Sequence, residues 1–129
     1  MTPSSFAHST RAPRRDDTRE LLGLIADDTR SQLHRRLVLA AILRCPLVLP
    51  RQSREQSATL VGDSISILRS TLGCAKRAIR WFRKHRYDQC LRELDHIDRL
   101  QQALSTIDRL TALAVISSLN EGRRHGRRD

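Results

Sequence analysis

Between Val61 and Phe82 the apolar residues recur at a 4-3-4-3-4-3 spacing: Val61, Ile65, Leu68, Leu72, Ala75, Ile79, Phe82. That period marks one face of an α-helix and excludes a strand, whose faces alternate every second residue. A second seam, Ile97, Leu100, Leu104 and Ile107, is spaced 3-4-3 and continues through Leu110, Leu113, Ala114 and Leu119. No alternating pattern competes anywhere. The expected fold is therefore all-α: a small helical bundle of three main helices, a long helical hairpin plus an N-terminal helix. At 129 residues the chain is long enough for one domain with a modest core.

The first helix should begin near Asp16, Asp17 and Thr18, because Asp and Thr cap helices and acids suit the positive end of the dipole. Its core face reads Leu22, Ala26, Thr29, Leu33, Leu37, Ala40, and Pro46 ends it. The tetrapeptide DDTR stands at 16–19 and again at 27–30. The second copy either shares a face with the first or caps a new helix. Pro46 and Pro50 fix a loop over 46–55. The second helix is expected from Gln56 to His85 and the third from Asp88 to Asn120, where Asn120 and Gly122 read as a stop. The resulting organisation is a disordered basic arm at 1–15, a helical domain at 16–121 and a basic tail at 122–129. Helix one should pack across the hairpin. Helix two carries two apolar lines, the second being Leu60, Ile67, Cys74 and Trp81, so a homodimer is a natural way to cover it.

Charge then sorts the functions. The net charge is +10, and it is segregated: residues 47–87 carry +7, while 88–121 carry −3. Such a balance favours polyanionic partners. From Cys74 to Tyr87 the sequence is CAKRAIRWFRKHRY, with six cations and no acid. Arg69, Lys76, Arg80 and Arg83 share a stripe off the apolar seam, with Arg77 and Lys84 beside it and Arg86 beyond. Cations at this spacing can neutralise neighbouring phosphates. Gly73 lies in the stripe and would let a backbone approach. Trp81 could stack an unpaired base or belong to the core; Phe82 belongs to the core seam. The tail RRHGRR adds Arg123, Arg124, Arg127 and Arg128 as nucleic-acid contacts. The competing reading is intramolecular: Asp88, Glu93, Asp95 and Asp98 of helix three could pair with the stripe.

Arginine supplies 22 of the 24 cations. Its planar fork grips phosphate and stacks on bases, which favours RNA. Arg, Leu and Ser together make up 53 residues, an excess of six-codon amino acids that coding bias also produces. Three cysteines, Cys45, Cys74 and Cys90, form no CxxC and leave an odd thiol, which suits a reducing compartment, cytoplasmic or nuclear. No signal-peptide pattern is read in residues 1–30. Cys74, His85, Cys90 and His96 give C-x10-H-x4-C-x5-H, which matches no usual ligand array, so no metal or other cofactor is expected. No Gly-rich phosphate loop, HExxH or nucleophile elbow is present, and no enzyme is expected. The run LVLAAILRCPLVLP at 37–50 is too short and broken to span a bilayer. It leaves a membrane-surface role open, as the apolar seams leave open a protein–protein adaptor.

Length, six-codon bias, charge and helicity together resemble small Arg-rich viral accessory proteins, including silencing suppressors and other RNA-binding proteins. A narrower likeness is to the basic nucleic-acid-binding proteins of filamentous plant viruses. There a hydrophobic segment precedes a basic cluster; here LVLAAILRCPLVLP precedes RSTLGCAKRAIRWFRKHRYDQC at 69–90. That family continues into a zinc-finger-like cysteine array, which this chain lacks, so no metal role carries over. The resemblance implies a non-enzymatic RNA-binding protein of a host-cell cytoplasm or nucleus.

Overall fold

A computed structural model describes residues 15–45 and 51–128, with side chains described for 16–45, 54–117, 119 and 120. Three helices follow one another: α1 (Arg15–Leu43), α2 (Arg51–Arg83) and α3 (Tyr87–Arg128). Among the described residues there is no strand. Three clusters set the topology. Leu22, Ala78, Phe82 and Cys90 meet at one end, Ala26, Cys74, Ala75 and Ile97 in the middle, and Leu43, Val61 and Ile65 at the other end. The helices therefore run up, down and up, with α2 in the centre and antiparallel to both neighbours. The first helix lies along the hairpin rather than across it.

The central position of α2 widens its core face beyond the expected one, of which Val61, Ile65, Leu68, Ala75 and Phe82 are buried. The buried positions are Ser57, Val61, Ser64, Ile65, Leu68, Thr71, Cys74, Ala75, Ala78 and Phe82. Eight of them form a heptad, with Ser57, Ser64, Thr71 and Ala78 at one core position and Val61, Leu68, Ala75 and Phe82 at the other. Leu72 and Ile79 of the expected seam are only half-buried. Small residues win the centre because two helices must approach α2 at once. Two of their hydroxyls turn back on the helix: Ser64 donates to the Val61 carbonyl at 2.6 Å and Thr71 to that of Ile67 at 2.9 Å, so burial leaves neither unpaired. The flanking apolar lines of α2 are half-buried within one chain, Leu72 and Ile79 on one side and Leu60, Ile67 and Trp81 on the other.

In α1 the 4-3 seam passes through Leu22, Ala26, Thr29, Leu33, Arg36, Ala40 and Leu43, not through Leu37, which is 42% exposed. Arg36 takes the seam position because its guanidinium reaches across to α3. It donates through both Nη atoms to the two carboxylate oxygens of Asp108, the Nη2–Oδ2 distance being 2.9 Å. A two-point arginine–carboxylate pair fixes geometry as well as charge. The second DDTR does not split α1. Arg30 pairs with Asp27 at 2.8 Å and Gln32 donates to Asp28 at 2.7 Å, so the acids are satisfied one turn along the same helix.

Two other boundaries differ from expectation. α2 begins at Arg51 rather than Gln56, because RQSRE after Pro50 is made of good helix formers. α3 continues past Asn120 and Gly122 to Arg128. One glycine costs a helix only about 1 kcal/mol, and arginines favour the negative end of its dipole. The arm at 1–14 and the loop at 46–50 lie outside the described residues.

The hinge between α2 and α3 is a Schellman turn. Arg86 N–H donates to the Trp81 carbonyl at 2.9 Å and His85 N–H to that of Phe82 at 3.0 Å. His85 takes the left-handed position, with φ of 58°, where glycine is usual. A β-carbon there costs about 1–2 kcal/mol. His85→Gly should therefore raise stability by roughly 1 kcal/mol, read as a later urea midpoint at unchanged slope. An earlier midpoint would show that the 3.0 Å contact of His85 Nδ1 with the Tyr87 hydroxyl outweighs the strain.

Candidate nucleic-acid interface

Burying the inner half of α2 turns one outer face to solvent. Arg69, Lys76, Arg80 and Arg83 fall within an arc of about 60° on the side turned away from the buried seam, and all four are exposed. From Arg69 to Arg83 the stripe is about 21 Å long. Among the described residues, none of the four has an ion-pair partner.

The acids of α3 are engaged elsewhere. Glu93 holds Arg77, Oε1 to Nε, at 3.0 Å. Asp95 pairs with Arg99 on its own helix at 3.1 Å, Asp98 accepts from Gln102 at 3.3 Å, and Asp108 holds Arg36. Among the described residues of the stripe and its flanks, only Arg77 is neutralised by α3. The geometry explains why: α3 packs on the opposite flank of α2, and only the residue nearest that flank can reach it.

The remaining expected contacts divide by place. Lys84 and Arg86 are exposed at the hinge. They line an open hollow with His85, Tyr87, Asp88, Gln89 and Arg92. Arg92 was not singled out from the sequence, because the hollow forms only when the hinge folds α3 back beside α2. Trp81 is half-buried against the Leu22, Ala78, Phe82 and Cys90 cluster, and Lys84 Nζ stands 5.8 Å from its ring centre. It is a core residue with one edge at the surface. Beside Gly73 the Arg77 guanidinium lies at ordinary contact distance, 3.4 Å from where a β-carbon would stand. Arg123, Arg124, Arg127 and Arg128 fall on the last turns of α3, and their side chains are outside the described residues.

A second cluster lies on the α2–α3 flank. Cys74 Sγ, a Glu93 carboxylate oxygen and a His96 ring nitrogen are all within 4.8 Å of one another. Arg77 Nη2 also donates to Cys74 Sγ at 3.3 Å. Burial, then the hydrogen bond and charge of Glu93, holds the Cys74 thiol above its ordinary value, and burial then Glu93 does the same for Cys90. Both are neutral thiols near pH 7 and poor nucleophiles. The cysteine and histidine spacing did not reveal this group because its third member is a glutamate. Glu93 and His96, three apart on one helix, were the available signal.

No helix among the described residues is long and apolar enough to cross a membrane. No family model, no curated protein and no solved structure matches this chain.

Proposed function

We propose that this is a non-enzymatic RNA-binding protein that holds the phosphate backbone against the outer face of α2 through Arg69, Lys76, Arg80 and Arg83. Lys84, Arg86 and Arg92 extend the surface at the hinge. One observation carries this reading: four exposed cations share a stripe with no acidic partner among the described residues, because the acidic α3 packs on the opposite flank of α2. Unpaired like charges repel, and phosphate is the abundant anion that relieves this. A smooth helical face suits structured or duplex RNA, which proteins recognise largely by shape and backbone. The resemblance to Arg-rich viral accessory proteins points the same way, to a protein that suppresses silencing by covering duplex RNA. Titrating salt against binding of duplex RNA, single-stranded RNA and anionic vesicles separates the possibilities. Duplex RNA should bind most tightly, with log K falling against log salt at a slope of about −4 for four to five phosphates. Preference for vesicles would overturn the proposal.

Self-association is a second, compatible reading. The apolar surface left open lies not on α2 but on α1 (Leu37, Val38, Ile42) and on α3 (Leu110, Leu113, Ile116, Leu119), each at least 42% exposed. Leu110 and Leu113 line a hollow with Gln56, Thr59, Leu60, Ala114 and Ser117. Open apolar surface of this kind marks an interface, and a second copy of the chain is the proposed occupant. Sedimentation at micromolar concentration should give a dimer, and Leu113→Asp should weaken it roughly 10-fold or more. A parent protein that sediments as a 14.8 kDa monomer would contradict this.

A further inference from the structure

We infer that Cys74, Glu93 and His96 form a binding site for a transition-metal ion, Zn2+ by the chemistry of its ligands. The set joins a thiol, a carboxylate and an imidazole. That mixture suits Zn2+ and is foreign to Ca2+ and Mg2+, which take oxygen alone. Glu93 and His96 stand three residues apart on one face of α3, and Cys74 faces them from α2. Two packed helices thus hold the three groups without any loop.

The spacing is close to what the ion requires. The ligand atoms lie within 4.8 Å of one another, and a tetrahedral zinc centre needs about 3.4–3.6 Å between them. Side-chain rotations of about an ångström close that gap. Three protein ligands and one water complete four-coordination. Cys74 is buried, Glu93 half-buried and His96 exposed, so the ion has an entry path past the imidazole.

Two features of the place favour positive charge. Glu93 Oε2 is buried with no hydrogen-bond partner, which is costly for a carboxylate oxygen. The other two available lone-pair groups, Glu93 Oε1 and Cys74 Sγ, already share one cation, the Arg77 guanidinium, at 3.0 and 3.3 Å. Arg77 is half exposed on a flexible stem and can swing into solvent. Binding then reads as an exchange. Zn2+ takes the Cys74 sulfur as thiolate, the thiol proton passes to solvent, the Zn–S bond forms, and Arg77 leaves.

The test uses the untagged full chain, Co2+ as optical probe and Zn2+ competed against a chromophoric chelator. The parent should take up one equivalent of Co2+, with a sulfur-to-cobalt charge-transfer band and the intense visible bands of four-coordination. Zn2+ should raise the thermal midpoint. Cys74→Ser should lose the charge-transfer band. His96→Gln, at an exposed position that leaves folding intact, should weaken Zn2+ binding roughly 100-fold and abolish the thermal shift. Cys45→Ser should behave as the parent, and Arg77→Gln should bind Zn2+ more tightly, because the competing cation is gone. Weak six-coordinate Co2+ spectra in the parent, or His96→Gln binding as tightly as the parent, would overturn the site.

Discussion

Reversing Arg80 and Arg83 to glutamate will abolish RNA binding while the protein stays helical. Both side chains are exposed and unpaired among the described residues, so no contact within the fold is lost. Glutamate and arginine have similar helix propensities. The reversal removes two phosphate contacts and adds two repulsions, which should weaken binding roughly 100-fold or more at moderate salt. One structural cost is expected. Both residues lie in the last turn of α2, where cations favour the negative end of the dipole, so each glutamate costs about 0.3–1 kcal/mol. The double glutamine variant separates the two effects. It removes the charge without opposing the dipole, and its affinity should fall between parent and reversal. Unchanged binding by the reversal would leave the stripe a solvated face and make the adaptor reading the stronger one.

Phe82→Ala will have the largest effect on stability. Phe82 is 7% exposed and packs with Leu22 of α1, Ala78 of its own helix and Cys90 of α3. Its ring also meets Tyr87 at 5.5 Å between centres, tilted by 59°. One side chain thus ties all three helices at the hinge end. Truncation should cost about 3–5 kcal/mol, the range for a buried phenylalanine, and lower the thermal midpoint by roughly 10–20 °C. Below that midpoint the variant should still bind RNA, because the stripe is one helical face away. A loss under about 1 kcal/mol would mean that Trp81 and Leu94 close over the space.

Much of the fold was legible because helical period is a local signal. Two seams of 4-3 spacing placed α2 and α3, and the start of α1 was readable from its caps. What local pattern does not carry is which flank meets which neighbour. The core face of α2 widened to include Ser57, Ser64, Thr71 and Ala78 because a helix packed on two sides needs small residues in the middle, a condition set by tertiary arrangement. Arg36 replaced Leu37 for a similar reason, since its partner Asp108 is seventy-two residues away. The stripe was legible, because exposed positions of a regular helix follow from the buried ones. Its freedom from acids was not, because pairing with α3 depends on the flank on which α3 lies. The same limit hid the group of Cys74, Glu93 and His96, which two helices bring together.

The most direct test of the α2 face as a phosphate site is the salt dependence of duplex RNA binding for Arg80→Ala beside Arg99→Ala. Arg99 lies on α3 and pairs with Asp95. If Arg80 neutralises one phosphate, its removal lowers the magnitude of the log K against log salt slope by about one, and Arg99→Ala leaves the slope unchanged. Equal slopes for Arg80→Ala and the parent would contradict the assignment of this face.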